Sequence, residues 1–89
     1  MSVSRCILFV AHAKGDGDFR AIVTHHLDLR PLQANSVERR IEAFGTVVAT
    51  ALLVEDEAGS RILPSRGGGI SDREYQEFVA SCEDWAKGR

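Results

Sequence analysis

Three histidines, His12, His25 and His26, carry the side chains of this sequence that titrate nearest to neutral pH. If the first third of the chain folds as a hairpin, His12 comes within reach of one of the later pair, and Asp16 or Asp28 could complete a metal or acid–base site. The spacing does not support such a site, because the sequence contains neither His-x-x-x-His nor Cys-x-x-Cys. We therefore expect ordinary strand or loop histidines, with no catalytic residues and no metal.

A glycine-rich loop offers a second kind of chemistry. The run Arg66-Gly-Gly-Gly-Ile-Ser71 leads into a predicted helix, where free amides and the helix dipole favour an anion and glycines let a phosphate approach the backbone. The loop lacks the Lys-Ser/Thr ending of a P-loop and the dinucleotide fingerprint. A flexible connector is the competing interpretation. The candidate ligand-binding residues are Arg66, Gly67, Gly68, Gly69 and Ser71.

Nucleophilic chemistry has little support in the sequence. A reactive cysteine needs a partly exposed, electropositive setting, whereas Cys6 and Cys82 both fall on apolar stretches where they are expected to pack as small hydrophobic residues. No Gly-x-Ser-x-Gly elbow is present. Two cysteines are also too few for the disulfide framework of a small secreted domain. We expect a protein that is not an enzyme and uses no cofactor.

The charged residues bear on the choice of partner. The chain has 11 Lys and Arg against 13 Asp and Glu, a net charge of −2, and its basic residues are scattered, which disfavours nucleic-acid binding. The acidic residues of a predicted turn and of the last helix could dock on a basic protein, although a solvated surface is the competing interpretation. These candidate interface residues are Glu55, Asp56, Glu57, Glu77 and Asp84.

The last element is the most clearly specified. Ser71 and Glu74 form a capping box, which predicts a helix that starts at Asp72. Apolar residues then recur at the three-and-four spacing of one buried stripe: Tyr75, Phe78, Val79, Cys82, Trp85 and Ala86. A shorter helix is predicted from Ser36 to Phe44, with Asn35 as its N-cap and Gly45 as its end.

Strands are predicted around these helices. The segment 46–54 has apolar residues at both its odd-numbered and its even-numbered positions, as in a strand that is buried on both faces. The segment Arg61-Ile62-Leu63 is predicted to pair with it as the second strand of a hairpin. The segment from Arg5 to Ala13 predicts a first strand, and the Asp16-Gly17 turn predicts that residues 19–25 pair with it. An alternative places residues 19–27 in a helix with Asp18 as its cap.

These elements predict one small α+β domain over residues 1–89: a four-stranded antiparallel sheet in the order ββαββα with both helices on one face, or βααββα if residues 19–27 are helical. Two helices on one face leave apolar strand surface exposed on the other, and such a patch marks an interface. We expect a cytoplasmic, non-catalytic interaction module, homodimeric or bound to a protein partner, that acts as a small regulator, inhibitor or adaptor. The alternative functions are a small-ligand or anion-binding domain that uses the Gly67–Ser71 loop, or a small histidine-dependent enzyme. The longest apolar run is far too short to cross a membrane.

Overall fold

A computed structural model describes residues 5–29 and 34–88 of the chain. Four strands and two α-helices follow one another in the order ββαββα, with a short 3-10 turn, Gly17–Phe19, between the first two strands. The bounds are β1, Arg5–Lys14; β2, Ala21–Asp28; α1, Ala34–Glu42; β3, Val47–Asp56; β4, Gly59–Arg66; and α2, Asp72–Lys87. Within the described residues, no helix is long and apolar enough to cross a membrane.

The four strands form one antiparallel sheet in the order β2-β1-β3-β4. This confirms the predicted fold class and element order. It also decides between the two predictions for residues 19–27, because residues from Ala21 onward pair with β1 as a strand and the helical alternative is wrong. The β-branched pair Val23-Thr24 favours that outcome, since it fits an extended pleated segment better than a helix.

One face of the sheet is covered by α2 and is called here the α2 face. Side chains of β1 and β3 on this face are almost completely buried, with Phe9 at 3% exposure and Leu53 at 0%. Phe78 and Cys82 of α2 pack into the same cluster, and the ring of Trp85 meets that of Phe9 edge-on at 5.3 Å between centroids. The apolar side chains predicted to lie along one side of α2 therefore cover the main core.

The capping box of α2 is formed as predicted. The Ser71 hydroxyl accepts a hydrogen bond from the Glu74 amide at 3.1 Å, and the Glu74 carboxylate accepts one from the Ser71 amide at 3.0 Å. These bonds satisfy two of the donors that every helix leaves open at its N-terminus. The helix consequently begins at Asp72, the predicted residue.

A bulge in β3 changes which face its first residues occupy. Ala11 pairs with Ala49 but His12 pairs with Val47, so Val48 is an extra residue with no partner on β1. Val48 is 1% exposed and belongs to the core of the α2 face together with its neighbour Ala49. Strict alternation would place these two residues on opposite faces, and the bulge removes that constraint.

The expectation that both helices lie on one face is not what the contacts show. Phe44, in the turn after α1, stacks on the rings of His12 and His25 at 5.9 and 4.2 Å between centroids. His25 is opposite Val10 in the sheet, and both belong to the face turned away from Phe9 and α2. The end of α1 therefore lies against the opposite face.

Element ends moved by a few residues from their predicted positions. The first helix starts at Ala34, so Asn35 lies inside it rather than at its N-cap, and it ends two residues before Phe44. The second strand starts later than predicted because the 3-10 turn takes up Phe19. The strands β3 and β4 extend further toward each other, which leaves Glu57 and Ala58 as the whole turn of their hairpin.

Candidate interaction surface and neighbouring sites

A row of four leucines crosses the face opposite α2 and is called here the leucine row. The strand registers pair Leu8 with both Leu27 and Leu52, and pair Leu52 with Leu63. Residues opposite one another in an antiparallel sheet project to the same side, so one leucine from each strand stands in a line across the whole sheet. The row is an apolar stripe perpendicular to the strands.

Exposure increases along the leucine row from β2 to β4. Leu27 is 3% exposed, Leu8 and Leu52 are half-buried, and Leu63 is 50% exposed. Leu63 and Phe19 are the large hydrophobic side chains that stand most exposed in the described part of the chain. The half of this face formed by β3 and β4 therefore presents apolar surface to solvent.

The surroundings of Leu63 are electrically balanced. Arg61, its nearest charged neighbour on the same face of β4, donates to the Asp56 carboxylate at 2.9 Å. Asp56 also accepts from the Ala58 amide at 2.9 Å, and these hydrogen bonds lower the pKa of its carboxyl group. The exposed end of the leucine row thus carries no uncompensated charge from this pair.

His12 and His25 form a pair at the other end of the same face, as the hairpin prediction allowed. Nε2 of His25 lies 2.9 Å from Nδ1 of His12, a hydrogen-bonding distance, and the two rings are stacked at 4.8 Å between centroids. Phe44 covers both rings. The pair anchors the end of α1 to the sheet.

The remaining members of the predicted histidine site lie elsewhere. His26 belongs to the α2 face, where its ring lies 5.6 Å from that of Trp85, so it cannot join the His12 and His25 pair through the sheet. In residues 5–29 and 34–88, no group of three or more His, Cys, Asp or Glu is arranged to hold a metal ion. Asp16 and Asp28 therefore complete no three-ligand set with the histidines.

The glycine-rich loop joins β4 to α2, and its arginine already has partners. Arg66 donates to the Asp72 carboxylate and, at 2.9 Å, to the Ile70 carbonyl, and its guanidinium lies 5.6 Å from the centre of the Tyr75 ring. The Asp72 carboxylate and the capping box also stand where an anion would meet the helix N-terminus. Ion binding by Arg66, Gly67, Gly68, Gly69 and Ser71 stays a prediction, and an anion would compete with these contacts.

Two glycines of the loop are fixed by close packing or by backbone geometry. A Cβ at Gly67 would lie 2.8 Å from the Val48 carbonyl oxygen, which accepts a hydrogen bond from the Gly67 amide at that same distance. Gly69 has φ of +81° and its carbonyl accepts from Arg20. These glycines have structural reasons to be present that require no ligand.

The two thiols face opposite sides of the sheet. Cys82 is 1% exposed in the α2 core, and burial raises its pKa to about 11. Cys6 lies on the opposite face, half-buried, and burial together with the nearby Asp28 charge raises its pKa as well. Raised pKa values keep both thiols protonated at neutral pH, which disfavours a nucleophilic role.

The predicted acidic interface divides into two groups. Glu55, Asp56 and Glu57 lie at the β3–β4 turn, whereas Glu77 and Asp84 lie on exposed positions of α2. Glu77 accepts from Arg73 at 3.2 Å, one helical turn before it. A docking role for the five residues Glu55, Asp56, Glu57, Glu77 and Asp84 stays a prediction.

The leucine row was not identified from the sequence. Its members are spread from Leu8 to Leu63, and they share a line only because of the registers of three strand pairs. The sequence indicates only which residues of one strand share a face, because alternate residues project to the same side: Leu8 with Cys6 and Val10, and Leu52 with Thr50 and Val54. Parity separates two faces but does not say which positions stand side by side.

Comparisons of the chain with protein-family models, with curated proteins and with solved structures found no match. The interpretation of these surfaces therefore depends on the contacts described above.

Proposed function

We propose that this protein is a non-catalytic, homodimeric interaction module that binds a partner protein through the open half of its sheet, around Leu52 and Leu63. A small regulator, inhibitor or adaptor works in this way. The observation that carries the proposal is the leucine row with its half-exposed end at Leu63. A large apolar side chain in a continuous apolar row is the type of surface that gains most from being covered.

The chemistry of the surface selects the chemistry of the partner. The side chains on the same face around Leu63 are short or polar, such as Thr50 and Ser65, and the charge of Arg61 is balanced by Asp56. Because Arg61 and Asp56 neutralise each other, this pair does not attract a strongly charged partner, and burying that partner's own charges against Leu63 would cost free energy. The surface therefore suits a flat, apolar and uncharged patch on another protein.

The reactive groups of the described residues support a binding role rather than catalysis. The histidine pair is covered by Phe44 and lacks a third ligand or base, and both thiols are held in the protonated state. Arg66 and Glu74, which flank the glycine-rich loop, already take part in internal contacts. The exposed apolar end of the sheet is the feature that no internal contact explains.

A comparative pull-down tests the proposal. Tagged wild type, Leu63→Asp and the control Phe19→Asp would each capture proteins from a lysate of the source cells, with quantification by mass spectrometry. Phe19 is 92% exposed on the turn between β1 and β2, so its variant matches the loss of an exposed apolar side chain without altering the leucine row. Circular dichroism confirms that the variants are folded.

The expected result is a protein that wild type and Phe19→Asp retain equally and that Leu63→Asp loses by at least about tenfold, since a buried unpaired carboxylate in an apolar contact is costly. If no captured protein depends on Leu63 while the Leu63→Asp variant remains folded, the proposal is wrong.

A further inference from the structure

The hydrogen bond between His12 and His25 depends on how many protons the two rings carry. Nε2 of His25 lies 2.9 Å from Nδ1 of His12, and at this distance one nitrogen must donate and the other must accept. The neutral pair meets this requirement, because each neutral imidazole has one N–H and one bare nitrogen. A pair with one added proton meets it as well, since the charged ring still donates to the neutral one.

A second added proton removes the acceptor. Both ring nitrogens of a charged imidazole are N–H donors, so two donors would then face each other at 2.9 Å. Two positive charges would also lie in stacked rings whose centroids are 4.8 Å apart, where they repel each other. The contact between His12 and His25 is therefore incompatible with protonation of both rings.

The groups around the histidine pair do not offset a second proton. Within the part of the chain that the structure describes, no carboxylate or thiol joins the two rings in a cluster of three. Beside them on the same face of the sheet stand three uncharged residues and one exposed cation: Val23, Val47, Thr50 and Lys14. The other charged side chains of the adjoining elements are exposed: Asp16 and Asp18 in the turn after β1, and Glu38, Arg39, Arg40 and Glu42, which balance in sign, in α1.

The histidine pair holds α1 against the part of the sheet that β1 and β2 form. Phe44, two residues after α1, stacks on His25 at 4.2 Å and on His12 at 5.9 Å between ring centroids. Val10 and Leu27 project to the same face and are 0% and 3% exposed. The nine residues of α1 span about 14 Å, whereas Leu27 is about 7 Å along β2 from His25. Since α1 follows the end of β2 and finishes at the histidines, it is long enough to cover both residues.

We propose that protonation of both His12 and His25 releases the end of α1 from the sheet. The apolar surface of the leucine row then extends from Leu63 toward Leu27. This inference rests on the proposed function and adds its regulation, because the surface for the partner becomes larger in mild acid. The direction follows from proton linkage: the released state binds more protons than the anchored state and is favoured as the pH falls. A helix of nine residues is marginal in isolation, so loss of the Phe44 contact should also loosen α1 itself.

Nuclear magnetic resonance tests the release in the wild-type protein. The nuclear Overhauser signal between the rings of Phe44 and His25 reports the anchored state and is called here the anchor signal. The signal between the rings of Phe9 and Trp85, whose centroids are 5.3 Å apart, reports the α2 face and is called the reference signal. We expect the anchor signal to fall at least about twofold between pH ~8 and pH ~5, the range in which histidines titrate, while the reference signal stays constant.

A substitution in the pair tests whether the second proton is responsible. His25→Phe keeps an aromatic ring in the stack and removes one of the two protonation sites. In this variant the signal between Phe44 and the ring at position 25 should persist at pH ~5, since two facing charges can no longer form. His26→Phe is the matched control, because it makes the same change on the α2 face beside Trp85, and its response to acid should equal that of wild type. Circular dichroism confirms that the variants are folded.

An apolar fluorescent dye, anilinonaphthalene sulfonate, measures the surface that the release uncovers. Its fluorescence with wild type should increase at least about twofold over the same fall in pH, because the dye binds newly exposed apolar surface. The increase should be absent with His25→Phe and present with His26→Phe.

Three results would overturn the inference: an anchor signal that is unchanged at pH ~5, an equal loss of that signal in a folded His25→Phe variant, or a simultaneous loss of the reference signal, which would mean general acid unfolding. The wild-type measurement decides the matter even if His25→Phe does not fold. No partner protein takes part in these measurements, so they are independent of capture through Leu63. Release in acid combined with capture that does not depend on Leu63 would contradict the partner-binding surface alone.

Discussion

The two faces of the sheet are built from similarly apolar strands but are closed to different degrees. On the α2 face, Ile7, Phe9 and Leu53 are each 3% exposed or less under a helix of 16 residues. On the opposite face, the helix α1 has 9 residues, and the row that starts with buried Leu27 ends with Leu63 half in solvent. The difference shows that the α2 face holds the main core, whereas the opposite face keeps an exposed apolar end, which is the surface used by the proposed function.

The difference in burial between the two faces follows from the small size of the domain. A chain of 89 residues has one core, and a single well-capped helix is sufficient to close it. Helices derive most of their stability from packing of an apolar face, so α1, with 9 residues against the 16 of α2, has less surface with which to stabilise the sheet. The prediction of an exposed apolar face was made from strand composition, and the structure locates its exposed part at β4.

The largest difference between the two faces is expected in the free energy of unfolding when one phenylalanine on each face is replaced by alanine. Phe78→Ala removes a side chain that is 3% exposed in the α2 core and should lower the free energy of unfolding by about 3–5 kcal/mol. Urea denaturation monitored by circular dichroism measures the loss. A cost below about 1 kcal/mol would show that α2 is not the main lid of the core.

Phe44→Ala makes the same change on the opposite face and should cost less, about 1–2 kcal/mol, because the ring is only half-buried against His12 and His25. Phe19→Ala is the reference, with an effect near zero, since that ring is 92% exposed. Equal costs for Phe44→Ala and Phe78→Ala in the same denaturation series would remove the distinction between the faces.

The N-cap of α2 contributes part of the stability of the α2 face, and removing it measures that part. Ser71→Ala loses the hydroxyl that accepts from the Glu74 amide and should lower the free energy of unfolding by about 1 kcal/mol. Ser71→Asp should retain most of the stability, since a carboxylate also caps and lies favourably at the positive end of the helix dipole. The contrary result, equal destabilisation by both variants, would mean that the hydroxyl does not act as a cap.

Acid should weaken the same helix N-terminus by a smaller amount. Hydrogen bonds from the Ser71 backbone and side chain lower the pKa of Glu74 below its usual 4.5 in the folded protein. This contribution to stability is complete above pH 4.5 and is lost as the pH falls through the lowered value. Thermal melts of wild type and Glu74→Gln should differ near neutral pH and converge in acid, whereas a constant difference would contradict this linkage.

The features that the sequence predicted correctly are those determined by neighbouring residues. The start of α2 depends on Ser71 and Glu74, three positions apart, and the β1–β2 hairpin depends on its turn and on β-branched residues nearby. Local hydrogen bonds and local backbone preferences determine both. These features can therefore be predicted before any tertiary contact is known.

The features that were missed depend on contacts between distant segments. The bulge at Val48 changes the facing of the first residues of β3, and the parity of a strand does not predict where an extra residue is inserted. The side of the sheet taken by α1 follows from the stacking of Phe44 on two histidines far from it in the sequence. The leucine row likewise requires the registers of three strand pairs.

One cysteine lies on each face of the sheet, so the alkylation rate of its thiol can be followed for each face separately. Cys82 is enclosed in the α2 core and Cys6 is half-buried on the opposite face, and both have raised pKa values. Alkylation of Cys82 therefore requires an opening of the core, so its rate in native buffer measures how often α2 detaches. Cys6 should be labelled first, because it is half-buried and can react without an opening of the core.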